Sequence, residues 1–382
     1  MTLTTTLGMK SLLHKTWIVL ALLGVGVLSQ AQGANLPYEK RPEVITYLKA
    51  ISESEKIPMD WLLHVVSEAQ YSSISERLTT PKPVVGDRLP PEKNFLHYSR
   101  RLLSPERLER GLDFMKEHHD ALLSAQAKMG VSPWIVSAII GIETNYGRTM
   151  GRTPILNALM TLTFDYPRRA KFYKKELTQF LDYCWREQID PADIKGSFAG
   201  AMGYGQFMPS SLIRYGLDGD NDGHVDLINN PTDAIYSVAN FLASHGWQAN
   251  LPPLLRLKGE QALLEKHHDG GIKPHTRLDL LDGIEVIDAD TLSKSEPVLI
   301  VDIPWRKGGE PRQTTWYLGT KNFTAILYYN RSYFYATAVS LFAERLRNLY
   351  ETRGETYLNA PEQPTPQLDL KVSADQSLPK AP

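Results

Sequence analysis

One carboxylate in this chain stands where a general acid would have to stand. Residues 131–147 read VSPWIVSAIIGIETNYG. Ser132 is a good N-cap, Pro133 suits a first helical turn, and Gly147 can take the left-handed conformation that ends a helix. Trp134, Ile135, Val136, Ala138, Ile139, Ile140 and Ile142 leave no polar face, which predicts a helix buried in a domain core. Glu143 arrives in its last turn as the segment's sole carboxylate. Apolar neighbours and the negative end of the helix dipole both disfavour its charge and raise its pKa. A carboxylic acid still protonated near neutrality can donate a proton to a leaving group. The placement also fits a structural Glu paired with Arg148 or Arg152, and the segment alone does not favour the catalytic reading over it.

A second set of acids follows a different pattern. Asp218, Asp220 and Asp222 occupy positions 1, 3 and 5 of an EF-hand loop, with Gly223 at position 6 and the His224 carbonyl at position 7. Alternating acids before a turn glycine suit a hard cation such as Ca2+. Position 12 is Asn229 instead of the usual Glu. Asp233 lies four residues later, in the first turn of a helix opened by Asn230 and Pro231, where it either closes the cation site or caps the helix. A metal-free Asx-rich turn is the alternative. The loop occurs once, so a paired calcium sensor is not expected.

Between these acids lies the glycine-rich stretch Ser197 to Ser211. Gly200, Gly203 and Gly205 permit close backbone approach, and Gln206 needs hydrogen-bond partners if buried. It is not a phosphate loop, since the lysine and its spacing are absent. Arg168 and Arg169 follow a helix break at Tyr166–Pro167 and read either as a solvated helix start or as cations for an anionic ligand. His118 and His119 are neighbours on a helix, diverge, and do not form a metal pair.

The elements that must position these groups are mostly helical. Pro42–Glu53 and Pro58–Ala69 read as short amphipathic helices, residues 79–91 as a Pro-rich connection, and residues 105–129 as one long helix ended by Gly130. Further helices are expected after Glu143, and again over residues 322–346, where Asn330, Arg331 and Ser332 interrupt a tyrosine-rich stripe. Residues 251–319 change character, with β-type runs at 283–287, 298–303 and 314–319 and a hairpin at Gly308–Gly309.

Length and composition set the class. The chain has 382 residues, 42 % apolar and 22 % charged, with net charge −1, which gives no pull towards nucleic acid or anionic membrane. Lys10, His14 and Lys15 precede an apolar run from Trp17 to Leu28, and Ser29, Ala31 or Ala34 would suit a signal peptidase. Residues 1–31 thus read as a cleavable signal peptide, too short in its apolar part for a comfortable membrane span. The lone cysteine, Cys184, excludes an intramolecular disulfide, and a cysteine near the cleavage region for lipid attachment is absent. These features suit a periplasmic protein that is not a lipoprotein and has no stable membrane span after processing. The tail 354–382 reads as disordered.

Five motifs then agree in order and approximate spacing: GIETNYGR, GSFAGAMGYGQFMPSS, the EF-hand-like loop, SVANFLASHGW and YYNRSYFYA. Together they resemble the lytic murein transglycosylase B family over roughly residues 94–349. The resemblance implies a mainly α (α+β) fold, with a lysozyme-like helical core, an added helical domain and a small β-rich insertion. In that scheme residues 36–130 and about 150–195 form the helical domain. Residues 131–149, 196–250 and 320–350 form the core with its loop at 218–233, and residues 251–319 form the β-rich domain. It implies cleavage of peptidoglycan between N-acetylmuramic acid and N-acetylglucosamine with a 1,6-anhydromuramyl end, and no cofactor for catalysis. By the same resemblance Glu143 is the acid/base and Ser197 orients it. Gln206, Tyr329, Asn330, Tyr335 and Tyr98 line the glycan path, and Arg168 and Arg169 meet the peptide or muramyl group. Asp218, Asp220, Asp222, His224 and Asp233 hold a structural Ca2+. Phe241 stands where the pattern has tyrosine, which removes one hydroxyl, and the loop carries one extra residue before Asp233. Expected partners are glycan strands and cell-wall synthesis proteins, with the chain a monomer. Two rivals follow from the same residues: a muramidase using water with Asp165 or Asp193 as second acid, and a non-catalytic, calcium-dependent wall-binding protein.

Overall fold

The computed structural model describes residues 36–81, 93–287 and 292–353. The expected signal peptide, the tail 354–382 and most of the Pro-rich connection lie outside the described residues. The chain is mainly α, with fourteen α-helices and two small antiparallel sheets among the described residues. It divides into two units, residues 36–81 with 150–214 and residues 93–149 with 215–353.

The chain begins in the first unit with α1 (Pro42–Glu55), α2 (Met59–Ser67) and α3 (Ser73–Thr79). Proline stands at the first turn of α1, and Ser72 caps α3 by accepting the Ser75 amide. Next come four helices of the second unit: α4 (Phe95–Leu102), α5 (Pro105–Glu117), α6 (His119–Met129) and α7 (Pro133–Thr144). The single helix expected over residues 105–129 is therefore two. His118 leaves helical geometry at φ −111°, ψ 28°. The break serves two different partners, since α5 packs on α7 whereas α6 packs mainly on α11, defined below. Helices α4 to α6 fall in the same unit as α7, although the domain scheme expected from the resemblance groups them with the flanking helices. An amphipathic pattern marks a buried face without naming what covers it.

The first unit resumes with β1 (Thr153–Pro154), α8 (Ile155–Phe164), α9 (Ala170–Glu187), β2 (Lys195–Gly196) and α10 (Pro209–Tyr215). β1 and β2 form a two-residue ribbon, Thr153 opposite Gly196. Asp165, at the end of α8, is bound by Arg41 at 2.6 Å and by the Tyr38 hydroxyl. It is a structural ion pair.

The second unit is completed by α11 (Pro231–Ser244), β3 (Leu254–Lys258), α12 (Gln261–His267), β4 (Thr276–Arg277), β5 (Glu285–Val286), β6 (Pro297–Trp305), β7 (Gln313–Gly319), α13 (Lys321–Tyr329) and α14 (Tyr333–Thr352). The sheet order is β4-β6-β7-β3-β5, antiparallel throughout. β6 and β7 pair from Leu299–Gly319 to Trp305–Gln313 around the glycine turn. Leu255, Leu281, Val298, Ile300 and Leu318 form the core of the sheet. Strands β3 and β4 and helix α12 carry no clear period in the sequence and are seen only here. α7 lies at the centre of the helical part, packed on α5, α6, α11 and α14, and Ile135 to Ile142 are buried. Burial on every side is what an unbroken apolar helix demands.

Candidate active site

Glu143 sits in the last turn of α7, with the Tyr335 hydroxyl donating to its Oε1 at 2.6 Å. Burial pushes its pKa up to about 7, and the hydrogen bond from Tyr335 pulls the other way. No arginine contributes among the described residues, so pairing with Arg148 or Arg152 is not its role. The helix dipole, expected to raise the pKa further, is offset at its carbonyl end. Arg107 Nη1 donates to the carbonyls of Gly141 at 3.1 Å and Ile142 at 3.4 Å. What keeps the acid protonated is therefore removal from water.

Three tyrosines stand within electrostatic reach of this acid. Burial first, and then the charge of Glu143, raise the pKa of Tyr98, Tyr329 and Tyr335, and all three stay neutral donors. The rings of Tyr329 and Tyr335 are stacked with centroids 6.4 Å apart and planes 9° apart. Tyr98 is exposed at the end of an aromatic group with Phe95 and Phe334. Asn330 is exposed in the gap between α13 and α14. These residues come from α4, α7, α13 and α14 and meet only because the helices pack.

The helix does not end at Gly147, as expected, but two residues earlier. Asn145, Tyr146 and Gly147 all have positive φ, at 51°, 59° and 80°. Two non-glycine residues in this conformation cost about 1–2 kcal/mol each. The turn folds the Tyr146 ring back between α5 and α7. A Cβ placed at Gly111 or Gly141 would lie 2.4 or 2.5 Å from its hydroxyl oxygen. The two glycines make a slot for the phenol, whose hydroxyl finds no hydrogen-bond partner there.

In the first unit, Ser197 Oγ accepts the amides of Ala199 at 3.3 Å and Ala201 at 3.0 Å, which folds the glycine-rich stretch into a turn. Gln206 has φ 50°, and its Nε2 donates to the carbonyls of Met150 at 3.1 Å and Gly203 at 3.0 Å. Glu176, buried, accepts from the Ser210 amide and hydroxyl and anchors the start of α10. Arg168 and Arg169 are exposed, with the Arg169 guanidinium 4.3 Å over the Phe172 ring.

The acidic loop is organised by its own backbone. Asp218 accepts the amides of Asn221, Asp222 and Gly223, which hold its carboxyl below the usual range. Oxygen atoms of Asp218, Asp220 and Asp222 come within 4.8 Å of one another. The His224 amide donates to Asp222. Three converging carboxylates with only oxygen donors fit a hard cation such as Ca2+. Asp233 does not join them. It is fully buried and accepts the amides of Gly219 and Asp226, each at 2.8 Å, while Asn230 caps α11. Its task is to tie both sides of the loop to the helix.

With this geometry in place, the relationships of the chain are clear. The sequence profile of the Transglycosylase SLT domain matches residues 41–344. The chain belongs to that transglycosylase family. It is 39 % identical over 266 residues to the membrane-bound lytic murein transglycosylase B of Escherichia coli (strain K12), 68 % of either chain. Among solved structures it resembles the soluble lytic transglycosylase SltB1 of Pseudomonas aeruginosa. The TM-score is 0.73 at 32 % identity, over 82 % of this chain and all of that one. It also resembles the Escherichia coli lytic transglycosylase Slt35 solved in complex with calcium. There the TM-score is 0.69 at 33 % identity, over 83 % of this chain and 94 % of that one. The transglycosylase has a lysozyme-like fold and cleaves peptidoglycan by a lyase-type reaction.

Two features of the transglycosylase site escaped the sequence. Arg107 and Tyr146 brace the end of α7, but an arginine on an amphipathic helix and a tyrosine in a turn carry no signal of where they point. The other is an aromatic group in which the Phe241 ring lies 4.8 Å from Tyr329 and 4.2 Å from His245, with Tyr215 also packed against it. Phe241 thus supports the Tyr329 ring by contact alone.

Proposed function

We propose that Glu143 is the single acid/base of this lytic transglycosylase. Protonated, it donates its proton to the glycosidic oxygen between N-acetylmuramic acid and N-acetylglucosamine, and the bond to the leaving sugar breaks. The resulting carboxylate then takes the proton of the muramyl C6 hydroxyl, whose oxygen attacks the anomeric carbon. The product is a 1,6-anhydromuramyl end, and no water is consumed. The observation that carries this reading is a carboxylate with its pKa pushed up to about 7 by burial and held by a phenol donor, with no second carboxylate acting on it among the described residues. Such a group gives up a proton and takes one back at nearly equal cost. The Tyr335 hydroxyl donates to the anionic form and steadies it between the two transfers. Ordinary glycosidases need a second carboxylate. Asp165, the first candidate, is already bound to Arg41 and Tyr38. In the unit of Glu143, exposed Tyr98 and Asn330 and the more buried Tyr329 and Tyr335 are proposed to meet the glycan. In the other unit Gln206 is proposed to do so, with Ser197 shaping its turn and Arg168 and Arg169 offered to stem-peptide carboxylates.

Asp218, Asp220, Asp222 and the His224 carbonyl are the ligands proposed for Ca2+, which would stabilise the fold by binding only the folded state. Residues 1–31 are proposed to direct export to the periplasm and to be removed. The lone cysteine is buried in α9, which supports a released form over one lipidated on cysteine.

Mass spectrometry of soluble products from purified peptidoglycan tests the chemistry. Muropeptides lighter by one water than reducing-end products, absent with Glu143→Gln, are expected. Reducing ends would mean hydrolysis and overturn the single-acid mechanism.

A further inference from the structure

The unit of residues 36–81 and 150–214 contains a cavity of about 600 Å³ that none of the site residues above lines. Trp61 of α2 and Trp185 of α9 form its aromatic part, beside Val65, Ile189 and Pro191, with ring centroids 5.3 Å apart and planes at 63°. Glu68, Arg186, Gln188 and Asp190 also line it. The core does not require this indole pair at the surface. On α9, Leu177, Phe180, Leu181 and Cys184 are fully buried, whereas Trp185 keeps 37 % of its surface exposed. An indole left in water forgoes burial energy and commonly marks a binding surface.

Some of the polar groups are held by close partners, and others lie open at the rim. Arg186 is paired with Asp182, and Glu68 lies one helical turn from His64 at 3.9 Å. Gln188 ends α9 in the left-handed conformation, φ 56°, although Gly or Asn would adopt it more cheaply. Asp190 accepts the Ala192 amide at 2.9 Å, which fixes the turn beyond it. Two indole faces at a wide angle suit a flat ring with C–H groups on its face. A rim of mixed sign penalises a cation through Arg186 and an anion through Glu68 and Asp190. A neutral ring bearing hydroxyl and acetamido groups meets both conditions, and the volume is of ligand scale.

We propose that this cavity is a second glycan site, which takes one or two N-acetylated sugar residues of a peptidoglycan strand by stacking on Trp61 and Trp185. The choice of strand rests on the function proposed above. A second foothold raises the local concentration of a polymer without touching the chemistry. Its effect belongs to insoluble wall and not to short soluble substrates.

The test uses the mature chain. Binding to purified peptidoglycan, with and without stem peptides, is measured by co-sedimentation in the Glu143→Gln background, which prevents cleavage. Trp185→Ala is expected to weaken binding to peptide-free glycan by about fivefold or more, and Trp185→Tyr to recover most of it. In the active enzyme, Trp185→Ala should slow product release from insoluble wall by a similar factor and leave kcat on a soluble tetrasaccharide unchanged. Glu68→Ala, on an exposed position, gives the same readouts if Trp185→Ala lowers the melting temperature. Unchanged binding for both variants would overturn the proposal, and so would binding that disappears once stem peptides are removed. Failure of the functional reading is separate: the parent enzyme would then release no anhydromuropeptides at all.

Discussion

At Glu143 the chain buries one carboxylate among apolar side chains, whereas at residues 218–222 it crowds three carboxylates near the surface. Burial alone raises the pKa of the first, and it is partnered by Tyr335, 192 positions away in the chain. Asp218 is pulled down by amides three to five residues ahead of it. Proton chemistry requires a group poised between its two states, and desolvation supplies that poise. Cation binding requires charge that persists, and local backbone donors preserve it. Asp233 stands between the two cases. It is buried like Glu143, but the amides of Gly219 and Asp226 take the place of water.

The largest expected effect is on the buried acid itself. Glu143→Gln should lower kcat for anhydromuropeptide release by about 10²–10⁴-fold or more. The same substitution should stabilise the protein at alkaline pH. The folded pKa of about 7 lies above the ordinary carboxyl value, so the folded state holds its proton more tightly than the unfolded state. That contribution is complete below about pH 4.5 and is lost as the pH rises through 7. Denaturant unfolding should find Glu143→Gln more stable than the parent by about 2–3 kcal/mol at pH 8, with no difference at pH 4. A constant gap across pH would show that desolvation is not what sets this pKa.

The acidic loop should respond to metal and not to chemistry. At calcium one hundred times its dissociation constant, chelation should remove about 2.7 kcal/mol of stability. That lowers the melting temperature by roughly 4 °C with kcat unchanged. Asp220→Asn should abolish the calcium dependence and leave the chelated protein no less stable. Asp233→Ala should destabilise the protein even in chelator, because two buried amides lose their acceptor. Equal behaviour of the two variants would break the distinction between ligand and clamp.

Smaller effects probe how α7 is held. Gly141→Ala sets a methyl group 2.5 Å from the Tyr146 oxygen and should cost about 1–3 kcal/mol in thermal unfolding. Tyr335→Phe removes a donor to the charged form of Glu143. The pKa then rises, and the alkaline limb of the kcat profile should move up by about half to one pH unit. A downward shift would mean that the phenol bonds the protonated acid instead.

The chain's own sequence determined the elements whose causes are local. A run of apolar residues closing on Glu143, alternating acids before Gly223, and a short run rich in β-branched residues at 298–303 act through neighbours within a turn or a strand. Five ordered motifs carried the family in the same way, by residues close together. The tertiary structure alone decided what depends on partners far along the chain. It divided residues 105–129 at His118, because the two halves pack on different helices. It bound Asp165 to Arg41 and Tyr38, brought Arg107 to the carbonyl end of α7, and turned Tyr146 into a slot between two glycines. It also gave Asp233 the amides of Gly219 and Asp226 as partners, apart from the three clustered carboxylates. A pattern of faces states that a surface must be covered, and only packing states by what.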